Sequence, residues 1–268
     1  MFSPFHSLHC CIAVDVPAGY TTLFVFPYSV GFQFSGFKNL AALNEAITKR
    51  LKNLGVTTLL FMRHLELIEY EIKIPGKEAS GEYLLDAEPV NDHCTRVSAI
   101  ESEDDKTDES LSFIKFSMPI DSMVSTRTID VAFTVATDKE GKTTFQKAKN
   151  PYISVYFPTE TESKLDFIVQ GPFRTTPNRS SVPADEEENE ALAEQTAKLL
   201  RQSVLELRDM GLLDLSLIRI LPLDEDDFDV YPLFYPLYEE MRDLFSSERV
   251  LPVKVITRYF FLTCSVVS

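Results

Sequence analysis

Two arginines stand five positions apart in a hydroxyl-rich loop, within the stretch FPTETESKLDFIVQGPFRTTPNRSSVP that runs from Phe157 to Pro183. From Arg174 to Ser181 the chain offers two guanidiniums and four hydroxyls, with Asn178 among them. A guanidinium presents a rigid fork of donors that matches a carboxylate or a phosphate. Thr175, Thr176, Asn178 and Ser180 would add neutral polar groups beside Arg174 and Arg179, so the candidate chemistry is anion binding. The competing reading is structural, with the arginines paired inside the chain to Asp166 or Glu186.

Other constellations are weaker. His6, His9, Cys10 and Cys11, with His93 and Cys94, contain zinc-ligand residue types. Structural zinc prefers Cys-x₂₋₄-Cys or His-x₃₋₅-His pairs, and adjacent cysteines on a strand point to opposite faces, so core cysteines are expected and no metal. Ser35-Gly36-Phe37-Lys38, preceded by Gly31, lacks the GxxxxGK[ST] spacing of a phosphate loop. Asn178-Arg179-Ser180 fits a glycosylation sequon but has no secretory signal with it. No G-x-S-x-G elbow or Ser-His-Asp order occurs, and no carboxylate pair is marked out by its neighbours, which leaves a hydrolase as the remotest reading.

The elements that would position the arginine loop follow from periodicity. Cys10–Val16 and Tyr20–Pro27, separated by Pro17-Ala18-Gly19, read as a hairpin. Leu40, Leu43, Ile47, Leu51 and Leu54 recur at helical spacing up to Gly55. Strands are expected near 65–74, 83–85, 95–100, 111–116, 129–136, 143–147, 153–157 and 165–170. Asp138-Lys139-Glu140-Gly141 reads as a hairpin turn, and the acidic run from Glu101 to Glu109 as a solvated loop. A long helix should start at Asp185–Glu188, where four carboxylates suit the helix dipole, and end before Gly211. Shorter apolar-periodic pieces follow over 212–220 and 233–245, with an acidic patch at 224–229. Strands first and helices later give an α+β class: a β-rich mixed-sheet middle region followed by a helical C-terminal part.

Composition narrows the function classes. The 268 residues carry 26 Lys+Arg against 41 Asp+Glu, a net charge of −15, with 20 Phe, no Trp and nine Gly. Scattered basic residues on so acidic a background exclude a nucleic-acid footprint, and Gly-rich phosphate loops have little raw material. Four cysteines at irregular spacing point to a reducing compartment, cytoplasmic or nuclear. The N-terminal stretch lacks the basic flank and cleavage site of a signal peptide, and the apolar end, Tyr259–Ser268, is half the length of a membrane helix, so no membrane partner is expected. Both ends read as buried strand, which suggests a fragment.

The arginine loop also carries a family resemblance. GPFRTTPNRSSVP, followed by Asn189 and a Leu-rich helix, resembles the block downstream of the ATP-binding domain in sacsin-like proteins, which use the nucleotide fold of the ninety-kilodalton heat-shock chaperones. In the same order, Pro17–Pro27 looks like the strand closing that domain, and Leu59-Leu60-Phe61-Met62-Arg63 resembles its entry to the middle region. Leu212–Pro222, Phe234–Tyr238 and Leu251-Pro252 are similar to later blocks. The resemblance spans about residues 14–253.

It implies three parts: residues 1–64 as a remnant of the closing strands and linking helix of the ATPase-type domain, 65–183 as a β-rich middle domain, and 184–268 as a helical segment packing on it. The family's Asp-x-Gly-x-Gly loop and Gly-rich lid occur nowhere in the sequence. The implied function is therefore protein interaction or chaperone assembly, without a nucleotide pocket or enzyme activity of its own. No cofactor is expected in this chain, although the parent family uses ATP and magnesium, and the implied partner is a protein or an upstream ATP-binding domain. By analogy, Arg174 or Arg179 would approach a γ-phosphate there, where a fixed guanidinium offsets developing charge. The alternative is a stand-alone acidic interaction module with an anion-binding arginine loop.

Overall fold

Alternating apolar and polar residues, many of them β-branched or aromatic, run from Leu67 to Gln170, a pattern that suits a pleated, half-buried backbone. In the computed structural model, which describes residues 39–62, 64–74, 76, 78–103, 108–120, 127–255 and 258–262, this stretch forms nine strands. They are β1 (Leu67–Ile72), β2 (Ala79–Pro89), β3 (Cys94–Glu103), β4 (Glu109–Pro119), β5 (Thr128–Thr137), β6 (Thr143–Gln146), β7 (Tyr152–Val155), β8 (Phe157–Glu162) and β9 (Ile168–Gln170). One sheet takes them all in the order β1-β2-β3-β4-β5-β9-β7-β8, with β6 also paired to β5. All neighbours are antiparallel except β7 and β9, so the sheet is mixed. The helical part follows it, α2 (Glu187–Asp209), α3 (Leu215–Ile218) and α4 (Tyr235–Ser247), and the class is α+β as expected.

The chain divides into two compact units, 1–49 and 50–268. In the first, the described residues begin α1 (Leu40–Lys52), where Asn39 Oδ1 accepts the Ala42 N–H at 2.9 Å as an N-cap. The expected hairpin at 10–27 and the Gly31–Lys38 loop lie outside the described residues. In the second unit a two-stranded hairpin, β10 (Leu251–Val255) and β11 (Arg258–Leu262), follows α4.

Both faces of β5 are covered, which is why Ile129 to Thr134 are buried without a break. Ile129, Val131 and Phe133 belong to a core shared with α2, α3 and α4. The other face, with Ala132, Phe113, Val97 and Tyr83, lies under a 3₁₀ turn at Val56–Leu59 and the Leu60-Phe61 step after it. Phe133 is the hub of the first core. The rings of Phe116, Phe145 and Phe167 lie 6.2, 6.0 and 5.2 Å from it, the first two edge-on. Such tilted pairs set the electropositive edge of one ring against the face of another, and they add about 0.5–1.5 kcal/mol each beyond burial.

Helix α2 buries Leu192, Leu199, Leu200, Val204 and Leu207 in the core it shares with the sheet and α4. Its two buried hydroxyls, Thr196 and Ser203, donate to the carbonyls one turn back, both at 2.7 Å, so no polar atom is stranded there. At its end Gly211 takes φ +73, Leu212 N–H reaches Leu207 O at 2.8 Å and Gly211 N–H reaches Arg208 O at 2.9 Å. That is the Schellman arrangement, in which a residue without a Cβ turns the chain and frees the next apolar side chain to fold back.

Three elements differ from the periodicity. Residues 212–220 hold only one helical turn, α3, because the Schellman turn and the Asp214 cap leave four residues for it. The expected strand 153–157 breaks at Tyr156, whose φ is +65, into β7 and β8. Of 165–170 only the last three residues pair as strand.

Two consequences are measurable. A Cβ on Gly81 would fall 2.5 Å from Tyr70 Oη and 2.8 Å from the Ser102 carbonyl, and Tyr70 is buried. Gly81→Ala should therefore lower stability by about 1–3 kcal/mol, read as a fall in the urea midpoint. Asp214 accepts the N–H groups of Ser216 and Leu217 at 2.8 and 3.3 Å and pairs with Lys142 at 2.5 Å. Burial opposes its ionisation, yet Lys142, the Ser216 hydroxyl and the two N–H groups outweigh burial and hold its carboxyl below the ordinary 3.8. A lowered folded value means the contribution is full above pH 3.8 and is lost as pH falls through the lowered value. Asp214→Asn keeps a cap but removes the charge, so its unfolding free energy should fall less steeply than wild type on acidification below about pH 4.

Candidate functional site

Strand β9 leaves the sheet through Gly171-Pro172 and enters the arginine loop. Phe173 anchors the exit: it is buried and meets Phe234 edge-on, with ring centres 5.9 Å apart. The next residue is fixed through its backbone. Asn189, fully buried in the first turn of α2, accepts the Arg174 N–H at 2.7 Å and donates to Arg174 O at 3.1 Å and Pro183 O at 2.8 Å. One amide thus holds both ends of the loop against the helix.

The Arg174 side chain then points along α2. Its Nε and Nη2 donate to the two carboxylate oxygens of Glu188 at 2.5 and 2.6 Å, a fork-to-fork pair. The partner is Glu188, and Asp166 pairs instead with Lys147 at 2.7 Å. The Arg174 hydrogen bond, with Arg127 adding positive charge nearby, pulls the Glu188 carboxyl below its usual range despite some desolvation. Both side chains are solvent-exposed, so salt screens the pair.

The remaining residues are occupied with one another. Arg179 N–H closes a turn on Thr176 O at 2.7 Å, and Thr176 N–H bonds Ser181 O at 2.9 Å. Asn178 Oδ1 accepts from Thr176 Oγ1 at 2.7 Å and from Ser180 Oγ at 3.0 Å. Thr175 is half-buried beside them. The far side of the loop is stitched to β8, with Glu160 N–H to Ser180 O at 2.9 Å and Val182 N–H to Thr161 Oγ1 at 3.0 Å. Arg179 adopts φ +59, is exposed, and donates Nη2 to Val155 O at 3.1 Å. Among the described residues no carboxylate pairs with it. The structure therefore brings the six candidate residues into one loop but holds the two guanidiniums to different partners.

A second polar location was not marked out by the sequence. On the 3₁₀ face a groove of about 550 Å³ is lined by Phe61, Met62, Lys115, Ser117, Thr128 and Asp130. Asp130 is buried and accepts from Thr128 Oγ1 at 3.0 Å, while Lys115 Nζ reaches Leu60 O at 3.3 Å. Across the strands from Asp130 sits Gln170, buried, whose Oε1 accepts no hydrogen bond among the described residues. The only sequence signal was one Asp in the apolar run of β5.

Of the cysteine and histidine candidates, His6 to Cys11 lie outside the described residues. Cys94 is buried in the main core, where burial and the Glu206 charge push its thiol up to about 11 against a smaller opposing effect of Arg96, so the thiol is protonated. Among the described residues no group of three or more His, Cys, Asp or Glu side chains is placed to hold a metal ion, and no helix is long and apolar enough to cross a membrane. No family model, curated protein or solved structure matches the chain.

The Asn189 amide makes a direct prediction. Asn189→Ala removes three hydrogen bonds and strands backbone groups of Arg174 and Pro183, so it should cost about 2–4 kcal/mol in chemical denaturation. Arg174→Ala should move the same midpoint little, because its ion pair is exposed.

Proposed function

We propose that this chain acts as the middle-region segment of a sacsin-like protein built on the nucleotide fold of the ninety-kilodalton heat-shock chaperones. It serves protein interaction or chaperone assembly beside an upstream ATP-binding domain. The observation that carries this reading is the place of the most family-like residues. The Phe173–Pro183 block and Asn189 are the junction through which strand β9, strand β8 and helix α2 are tied together. A sequence likeness concentrated on a joint of this kind is what a shared framework would leave behind.

The sequence contains no Asp-x-Gly-x-Gly, which supports a reading in which nucleotide binds an upstream partner and not this chain. Calorimetry of the chain with ATP and magnesium should give no binding heat, and a micromolar affinity would overturn this reading. When the chain is combined with an ATP-binding domain of sacsin type, Arg174→Ala or Arg179→Ala should slow hydrolysis. Rates unchanged in both variants would remove the arginines from any phosphate role.

A second reading, a stand-alone acidic interaction module with an anion-binding loop, is favoured by Arg179. In a chain of net charge −15 its exposed guanidinium has one backbone acceptor and no carboxylate partner among the described residues.

A further inference from the structure

We propose that Tyr156 and Phe157, at the tip of the β7–β8 hairpin, form with Arg179 a docking site for a partner-protein segment in which one carboxylate is flanked by apolar side chains. Arg179 takes the carboxylate, and the aromatic pair takes the neighbouring apolar groups. The proposal rests on the second reading above, in which the arginine loop binds an anion.

Backbone strain marks the place. Among the described residues, four that are not glycine have positive φ: Asn150, Tyr156, Lys164 and Arg179. Asparagine enters that region at little cost, whereas a bulky aromatic residue there is an outlier that persists only when its surroundings hold it. Tyr156 is held. Val155 pairs with Phe157 and Ser154 with Pro158 on either side of it, and the guanidinium of Arg179, itself at φ +59, donates to the carbonyl of Val155. Arg179 is therefore tied to the carbonyl that immediately precedes Tyr156, which brings two of the positive-φ residues to the same hairpin end.

That spot is also exposed and apolar. Tyr156 is 38% and Phe157 51% accessible, adjacent aromatic residues at a turn where glycine or asparagine would relieve the backbone. Aromatic side chains beside an arginine are the composition of interface hot spots, because each supplies large contact area with few rotatable bonds. Here the backbone is already fixed, with Glu160 N–H bonded to Ser180 O, so binding orders little of it.

Charge selects the occupant. Arg179 is a single cation, the Arg174 fork is filled by Glu188, and Glu160 and Glu162 are exposed on β8. A phosphate dianion calls for a cluster of arginines, whereas one fork fits one carboxylate. The net charge of −15 disfavours a long acidic run for the same reason. The segment that fits carries a single carboxylate between apolar residues.

The test uses the full chain and a fluorescein-labelled peptide with one glutamate flanked by leucine and phenylalanine, read by anisotropy. Controls replace the glutamate by glutamine or by phosphoserine. The glutamate peptide should bind saturably, and the glutamine peptide at least about tenfold more weakly. Arg179→Asn and Tyr156→Asn place a residue tolerant of positive φ at each site. Each should weaken the glutamate peptide by about tenfold or more, and Tyr156→Asn should leave Tm unchanged or raise it by about 2–4 °C. The proposal is overturned by no binding, by equal binding of the glutamine peptide, or by wild-type affinity in either variant. Tighter binding of the phosphoserine peptide overturns the carboxylate assignment, and a fall in Tm of Tyr156→Asn makes the tip a packing element instead. Equal binding of the glutamine peptide overturns the anion-binding reading itself, whereas wild-type affinity in Tyr156→Asn alone overturns the docking site and leaves that reading standing, so the two failures are distinguishable.

Discussion

A buried side-chain amide offers two donor hydrogens and two acceptor sites, and leaving them unmet in the interior costs about as much as a lost hydrogen bond. Asn189 uses three of the four on backbone groups of Arg174 and Pro183. This sets the direction in which the chain leaves β9 and the point at which it enters α2, since the amide is fixed to the helix and the groups it bonds are fixed to the loop. A helix so placed must lay Leu192, Leu199, Leu200 and Val204 on the sheet face that carries Phe133, and the main core follows from that seating. The loop between the two tethered ends can then be rigid without a core of its own.

The sheet accepts a helix on one face because its other face is covered separately. Alternation along β5 sends Val131 and Phe133 to the helical side and Ala132 to the 3₁₀ side, so the strand is enclosed by two cores, one on each face of the sheet. Phenylalanine suits such a layer: with no polar tip to satisfy, Phe116, Phe133, Phe145 and Phe167 can meet one another wholly inside it. A tryptophan would bring an N–H needing a partner, and this chain has 20 Phe and no Trp. The opposite face is less uniform: there Gln170, whose buried oxygen accepts no hydrogen bond among the described residues, lies across from Asp130 beside the groove.

Legibility in the sequence followed the range of the interactions. Helix α2 could be read at both ends, because the acidic first turn and Gly211 act within a few residues of the backbone they cap. The strands of the meander could be read from alternation, which is also local. The break at Tyr156 could not: the residue type argues for continuous strand, and the break depends on the pairing of β7 with β8 and on a bond from Arg179, far along the chain. For the same reason the partner of Arg174 was missed. In the sequence Glu188 is accounted for by the helix dipole, and its position opposite the guanidinium depends on the Asn189 tether that brings the helix start to the loop. Asp130 and Gln170 gave no periodic or motif signal, since their pairing exists only across β5 and β9.

The acidity, finally, is organised by position. Glu240 and Asp243 on α4 converge on Arg201 of α2, Asp214 takes Lys142, Asp166 takes Lys147, and Glu188 takes Arg174, so carboxylates join elements that are distant in sequence. At exposed sites such pairs add little stability. Arg179 stands outside this scheme. Its guanidinium is tied to a backbone carbonyl, no carboxylate among the described residues pairs with it, and the strand end it secures is the strained aromatic tip. With Tyr156 and Phe157 exposed at the hairpin end to which Arg179 is bonded, that corner keeps the surface features that an external carboxylate with apolar neighbours would complete.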